Sequence, residues 1–167
     1  VNVDDPWGYR LSKDLKGVCW RASLKKDVIE SLSPELFISN FKMTPNSLEG
    51  MLHSPIGDGR FQAPLIGSFN LMNLLEAIGV LLQRGIPLDD LLLALKDFPG
   101  VPGRMEQIHV EASLPKVIVD YAHTPDGLEN VLKTLRSFVS GDLYCVFGCG
   151  GDRDRGKRAK MGAIAEK

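Results

Sequence analysis

Several features that mark membrane, secreted or nucleic-acid-binding proteins are absent from this sequence. No apolar run approaches the roughly 18 residues of a membrane-spanning helix. The stretch V1-N-V-D-D-P-W-G8 has neither the basic start nor the apolar core of a signal peptide. The net charge of −1 lacks the basic excess that general nucleic-acid binding requires. We therefore expect a cytoplasmic protein with neither a membrane nor a nucleic acid as partner.

Cysteine and histidine are also scarce. Cys19, Cys145 and Cys149 are odd in number and far apart, which favours reduced thiols over a disulfide framework. The spacing of four between the last two is not that of a zinc ribbon, and no second pair completes a site. His53 and His109 each stand alone in the sequence and are predicted to be structural. A resident metal centre is therefore not expected.

The first third of the chain predicts short strands and turns. Brief apolar pieces at Val18–Trp20, Phe37–Phe41 and Leu48–Met51 alternate in part with polar residues, as strands do. The Asp58-Gly59 pair tolerates positive φ and predicts a hairpin turn between residues 55 and 61.

Two helices and a linker are predicted next. Leucine and isoleucine recur every three or four residues over residues 67–85, as in a core-facing helix, and Gly85 is placed to end it. The stretch Pro87–Phe98 opens with a proline and two aspartates, which suits a helix start. The proline and glycine run at residues 99–103 predicts a linker between two domains.

The remainder alternates between predicted strands and helices. Strands are expected at Val117–Val119 and at residues 143–147, with helices from about Pro125 to Phe138 and from about Gly156. This alternation predicts an α/β fold with a parallel sheet and right-handed crossovers. Two strands and two helices cannot enclose a core, so we expect the sequence to be an excerpt of a larger protein.

Two stretches carry most of the chemistry. V117-I-V-D-Y-A-H-T-P-D-G127 ends a strand on Asp120 and His123, at the edge where open α/β sheets bind ligands. G148-C-G-G-D-R-D-R-G-K-R158 is rich in glycine and opens a helix, and residues 152–160 hold five basic and two acidic residues, which favours an anion. The spacing matches neither a dinucleotide fingerprint nor a P-loop. Helix capping and a solvated loop remain alternatives at this level.

Five stretches of the sequence are informative together: N2-V-D-D5, G67-S-F-N70, G103-R-M-E106, D120-Y-A-H-T-P-D126 and F147-G-C-G-G-D-R-D-R-G-K-R158. In this order they resemble the Mur ligases, the ATP-dependent amino-acid-adding enzymes of peptidoglycan synthesis. The resemblance covers nearly the whole chain. It implies that residues 1–102 are the later part of a central ATPase domain. Residues 103–167 would be the first half of a Rossmann-like C-terminal domain that binds the incoming amino acid.

The resemblance also implies a reaction. ATP would phosphorylate the terminal carboxylate of a UDP-linked muramoyl dipeptide, and the amine of a third amino acid would attack the acyl phosphate. The glycine-rich loop favours meso-diaminopimelate over lysine as that amino acid. Carried over by motif, Asn70, Arg104, Asp120 and His123 would contact ATP, and Arg153 would pair with a carboxylate of the amino acid.

Some of the family's motifs are missing from this sequence. It lacks the G-T-N-G-K-T phosphate loop and the carbamylated lysine that holds Mg²⁺, both upstream in relatives, and the downstream D-N-P-R motif. The chain by itself is therefore expected to be inactive, with its Mg²⁺ ligands elsewhere. An alternative is a non-catalytic scaffold that keeps the ligase fold, which would bind ATP without releasing ADP. An NAD-dependent oxidoreductase is disfavoured by the missing third glycine.

Overall fold

A computed structural model describes residues 1–108, 111, 114–151 and 154–166. It divides the chain into two compact units, Val1–Pro99 and Gly100–Lys167, which are described separately. Within the described residues, no helix is both long enough and apolar enough to span a bilayer.

The first unit, described in full, is built on a four-stranded sheet in the order β1-β2-β3-β4. The strands are β1 Ala22–Ser23, β2 Leu36–Met43, β3 Leu48–Ser54 and β4 Gly57–Ala63. β1 runs parallel to β2, and the other pairs are antiparallel. The strands predicted around Phe37 and Leu48 are confirmed. The strand predicted at Val18–Trp20 is wrong, because the pairing with β2 begins only at Ala22.

The hairpin predicted between residues 55 and 61 is confirmed as the β3–β4 hairpin, but its turn precedes the Asp58-Gly59 pair. Ser54 pairs with Gly57, so the loop consists of Pro55 and Ile56, and the Asp58-Gly59 pair lies inside β4. The Ser54 hydroxyl accepts the N–H groups of Ile56 and Gly57 at 3.2 and 3.3 Å, which stabilises the turn. Gly59 instead packs against a neighbouring helix, and a Cβ there would require the end of the Leu92 side chain to shift.

Two helices in this unit are missed by the sequence prediction. They are α1 Pro6–Asp14 and α2 Lys26–Leu32. The sequence does contain a signal for the start of α1. The Asp5 side chain accepts hydrogen bonds from the N–H groups of Trp7 and Gly8, and Pro6 occupies the first turn. α2 has no side-chain cap at its start, so the sequence carries little signal for it.

The two predicted helices of this unit are confirmed as α3 Ser68–Gln83 and α4 Leu88–Ala94, the latter extended by a 3-10 turn, Leu95–Asp97. Gly85, with φ of 84°, ends α3 and donates its N–H to the Leu82 carbonyl at 2.9 Å. One face of the sheet packs against these helices. The buried cluster comprises Ala22, Leu36, Ile38, Leu48, Leu52, Phe61, Ala63, Leu65, Leu71, Leu74, Leu75, Ile78, Leu82, Leu91 and Leu95.

The described part of the second unit contains two short strands and two helices, β5 Glu106–Ile108, β6 Val117–Val119, α5 Pro125–Arg136 and α6 Gly156–Ala165. The strand at Val117–Val119 and both helices are confirmed. β6 pairs antiparallel with β5, a strand that the sequence did not predict. The parallel partner expected for β6 is not found, because residues 143–147 form no strand. A strand requires a hydrogen-bonded neighbour, and β5 is that neighbour for β6. In the segment 143–147, where a strand was predicted, Val146 is fully exposed.

Candidate functional site

The β5–β6 register brings the start of one strand to the end of the other. Glu106 pairs with Val119, so Met105 and Asp120 are the next residues along the ladder. One oxygen of the Asp120 carboxylate accepts the Met105 N–H at 2.9 Å, and the other accepts the Ala122 N–H at 2.7 Å. The two hydrogen bonds fix the plane of the carboxylate at the strand end.

Arg104 lies across from Tyr121, one step further along the same register. Its guanidinium carbon is 5.2 Å from the centroid of the Tyr121 ring, within cation–π range. The backbone on either side is in the left-handed region, with φ of 67° at Gly103 and 50° at Met105. Since Met105 is 4% exposed, the buried methionine anchors this turn while Arg104 remains on the surface.

The loop that follows β6 is closed by its own side chains. His123 Nδ1 lies 3.1 Å from the Tyr121 carbonyl oxygen, and its ring makes an edge contact with the Tyr121 ring at 5.1 Å between centroids. Thr124 then caps α5 by accepting the Gly127 N–H at 3.1 Å. The sequence Asp-Tyr-Ala-His-Thr therefore ends the strand, orients a ring pair and starts a helix within five positions.

The basic stretch at the start of α6 reaches this loop. Lys157 Nζ donates to the His123 carbonyl at 3.3 Å, and the Lys157 N–H donates to Asp154 Oδ1 at 3.3 Å. Arg158 donates to the Gly151 carbonyl at 2.6 Å. The two stretches that the sequence analysis selected thus meet in the second unit through Lys157.

The structure groups three of the five predicted site residues. Arg104, Asp120 and His123 lie around Tyr121. Arg153 lies outside the described residues, as does His109. Tyr121 and Lys157 were not predicted as contributors. For Lys157 the local basic charge was a usable signal, whereas the position of Tyr121 depends on strand pairing.

Asn70 lies in the first unit, in the first turn of α3. It is 8% exposed, and its amide nitrogen donates to the Ile66 carbonyl at 2.7 Å. Its amide oxygen lies 3.5 Å from the amide nitrogen of Asn73. These contacts close the loop that leads into α3.

The thiols offer no metal site. All three cysteines lie within the described residues and are free. Partial burial raises the pKa of the Cys145 thiol, and Cys149 Sγ lies 3.3 Å from Met161 Sδ. Among the residues that the structure describes, no group of three or more His, Cys, Asp or Glu side chains is arranged to hold a metal ion.

The unit that contains the Asp120 and His123 loop matches a family of ligases. Residues 103–167 match the family model described as Mur ligase, glutamate ligase domain. The chain belongs to the Mur ligase family.

Its relatives in this family include bacterial ligases named UDP-N-acetylmuramoyl-L-alanyl-D-glutamate--2,6-diaminopimelate ligase. The protein of that name from Prochlorococcus marinus is 65% identical over 100% of this chain and 33% of its own length. The one from Thermosynechococcus vestitus is 47% identical, again over 100% of this chain and 33% of its own length. The chain thus spans about a third of the length of these relatives.

Solved structures with a similar fold include other ligases. A structure titled with the same ligase name is 35% identical, with a TM-score of 0.66 over 99% of this chain and 34% of its own chain. A structure of MurF from Acinetobacter baumannii has a TM-score of 0.68 at 22% identity, over 81% of this chain and 28% of its own, and supports the fold alone.

Proposed function

We propose that this chain is a segment of a ligase that adds meso-diaminopimelate to UDP-N-acetylmuramoyl-L-alanyl-D-glutamate in the cytoplasm. The observation that carries the proposal is the 65% identity to a ligase of that name over the whole chain. Residues 1–102 would form the end of the central domain and residues 103–167 the first half of the C-terminal domain. The compact units Val1–Pro99 and Gly100–Lys167 support a boundary near this point.

The proposed reaction forms an amide bond. ATP supplies the phosphoryl group that activates the terminal carboxylate of the dipeptide, and the amine of diaminopimelate then displaces phosphate. The protein positions these groups and offsets their negative charge. The Mg²⁺ ligands would come from parts of the ligase beyond this chain.

Arg104 is proposed to bind the ATP phosphates. Its guanidinium is permanently charged and presents a planar fork of donors that matches phosphate oxygens. The left-handed residues on both sides and the Tyr121 ring limit the directions in which the side chain can extend. This arrangement lowers the entropy that must be lost when a phosphate binds.

Asp120 and His123 are proposed to lie against the nucleoside. Each carboxylate oxygen of Asp120 accepts one backbone N–H, which leaves a second lone pair for a ribose hydroxyl. His123 is exposed beside the exposed Tyr121 ring, so its imidazole is accessible to a ligand. The two side chains therefore suit the hydroxyls and the flat apolar faces of a nucleoside.

Arg153 is proposed to pair with a carboxylate of diaminopimelate. The support comes from its neighbours, because Lys157 lies at the N-terminus of α6, where the helix dipole also favours anions. Asn70 is proposed to contact the nucleotide through the second hydrogen of its amide, since the first is donated to the Ile66 carbonyl.

The test is ADP release by the full-length protein that contains this chain. With ATP, the UDP-linked dipeptide and meso-diaminopimelate, we expect ADP and a tripeptide product, and much slower turnover with lysine. Arg104→Ala should lower kcat/KM on the order of 100-fold, because it removes charge stabilisation at the phosphates. The exposed Arg10→Ala serves as the control and should leave kcat/KM unchanged.

Three outcomes would contradict parts of the proposal. ATP binding without ADP release would identify a scaffold that keeps the fold. Equal turnover of lysine would refute the assignment of the amino acid. Unchanged kcat/KM in Arg104→Ala would remove that residue from the ATP site.

A further inference from the structure

His53, predicted to be a lone structural histidine, belongs to a chain of hydrogen bonds across three strands of the first unit. The chain consists of Ser39 on β2, His53 on β3 and Asp58 on β4. Along each strand, alternate residues such as Ile38 and Leu52 are buried in the core. Side chains at successive strand positions point to opposite faces, so Ser39, His53 and Asp58 share the outer face of the sheet.

The sheet register accounts for this arrangement. His53 pairs directly with Asp58, whereas Ser39 pairs with Met51 and is therefore the diagonal neighbour of His53. Diagonal neighbours on one face lie within reach of long side chains. His53 Nε2 is 2.8 Å from Ser39 Oγ, and His53 Nδ1 is 2.9 Å from Asp58 Oδ2.

The imidazole is held in the orientation that a general base needs. The Phe37 ring stacks on it at 4.3 Å between centroids, with an angle of 12° between the ring planes. The Asp58 carboxylate favours the tautomer with its proton on Nδ1, which leaves Nε2 free to accept the Ser39 hydroxyl proton. A nucleophile, a base and a group that orients the base are thus within hydrogen-bond distance.

The backbone immediately after Ser39 departs from a regular strand. The register shifts between Ser39 and Lys42, and Asn40 has φ of 51°. Such bulges change the direction of a side chain and often occur beside active sites. Asparagine adopts the left-handed region more readily than most other residues, so the sequence permits this bend directly after the serine.

We propose that Ser39 is a nucleophile, activated by His53 and Asp58, that accepts the acyl group of a carboxylic ester. Ser39 Oγ forms a bond to the carbonyl carbon as its proton passes to His53 Nε2. The ester C–O bond then breaks, and His53 returns the proton to the departing alcohol. The product is an acyl ester of Ser39, and this reactivity is independent of the proposed amide-bond formation.

The proposal is tested on the full chain with a fluorophosphonate probe, which forms a P–O bond to an activated serine and loses fluoride. Mass spectrometry of peptides should locate the adduct on Ser39. His53→Gln, which keeps a polar group but removes the base, should slow labelling roughly 100-fold, and Asp58→Asn roughly tenfold. A burst of p-nitrophenolate from p-nitrophenyl acetate should be lost in Ser39→Ala.

Ser54 provides the matched control, because it lies in the same sheet but donates to the Gly57 carbonyl. Ser54→Ala should leave labelling of Ser39 unchanged. Circular dichroism and the thermal midpoint verify that each variant folds. No adduct on Ser39, labelling no faster than that of Ser54, or an unchanged rate in folded His53→Gln would each overturn the proposal and leave a purely structural set of cross-strand bonds.

Discussion

At the scale of single residues, Arg21 and Glu35 of the first unit form an ion pair that contains three hydrogen bonds. The guanidinium donates to both carboxylate oxygens, at 2.8 and 3.0 Å, and the Arg21 N–H also donates to Glu35 at 2.8 Å. The side-chain hydrogen bond from Arg21 is the main cause that lowers the pKa of Glu35 from 4.5 to about 2. The pair joins the residues that precede β1 and β2, so it supports the parallel pairing of these strands.

This pair predicts a specific dependence of stability on pH. The pKa of Glu35 is lower in the folded state than in the unfolded state. The stabilisation is therefore complete above about pH 4.5 and is lost as pH falls towards about 2. Because the two side chains remain about 30% exposed, we expect a loss of only about 1–2 kcal/mol in the free energy of unfolding.

Glu35→Gln should lack this part of the pH dependence, as measured by urea unfolding between about pH 7 and pH 3. Glu30→Gln is the matched control, because the Lys26–Glu30 pair is largely exposed and spans 3.6 Å. Glu30→Gln should retain the wild-type dependence of the free energy of unfolding on pH. If the free energy of unfolding changed equally with pH in wild type and Glu35→Gln, the pH dependence could not be assigned to the Arg21–Glu35 pair.

The contacts of individual side chains were the feature of the site that the sequence predicted least well. Asp120 and His123 were identified because they end an apolar strand. The contact between Arg104 and Tyr121 depends on the antiparallel pairing of β6 with β5, a strand that the sequence did not predict. Arg21 and Glu35 are separated by a helix that the sequence did not reveal.

At the scale of elements, the end of α3 depends on the backbone conformation of Gly85. Gly85 has φ of 84°, and the next N–H, that of Ile86, reaches back to the Leu81 carbonyl at 3.1 Å. These bonds satisfy carbonyls that the helix end would otherwise leave without partners. A side chain at this position would be strained although nothing lies within 4 Å of its Cβ.

Gly85→Ala should therefore lower the free energy of unfolding by about 1 kcal/mol, from backbone strain alone. Arg84→Ala, one residue earlier and exposed, should change it by less than about 0.5 kcal/mol. Chemical denaturation of the two variants beside wild type measures the difference. Equal stability of Gly85→Ala and wild type would show that the helix end tolerates another conformation.

Elements with a local signal were predicted, and those defined by distant contacts were not. α3 has a leucine repeat and a terminal glycine, and α5 has Thr124 and Pro125 at its start. The β3–β4 hairpin was predicted, but the Asp58-Gly59 pair that indicated it lies inside β4, where Gly59 packs close to the Leu92 side chain. Packing of this kind is not visible in a sequence.

At the scale of the whole molecule, the two units differ in how much apolar surface they bury. The first unit encloses the cluster formed by one sheet face, α3 and α4. In the described part of the second unit, the buried hydrophobic side chains are Met105, Leu128 and Met161, whereas Tyr144 and Val146 are 85% and 100% exposed. Burial of apolar area is the main favourable term in folding, so local stability should differ between the units.

Hydrogen exchange of the chain should show this difference. Amides of α3 should be protected by at least about 1 kcal/mol more than those of α5, although both helices have defined ends. Mass spectrometry of exchanged peptides resolves the two helices. α1, which contains no buried residue, is an internal reference for weak protection within the first unit. Equal protection of α3 and α5 would refute the expectation.

The ladder between β5 and β6 has a consequence for how the sequence can change over evolutionary time. Arg104 faces Tyr121 and Met105 faces Asp120 because of hydrogen-bond register, whatever the number of residues that connect the strands. Insertions in that connection cost little, since closure entropy grows slowly with loop length. A single deletion within either three-residue strand would shift the pairing by one position and reverse the faces of the side chains. Homologues are therefore expected to vary in the length of the connection and to keep the strand lengths.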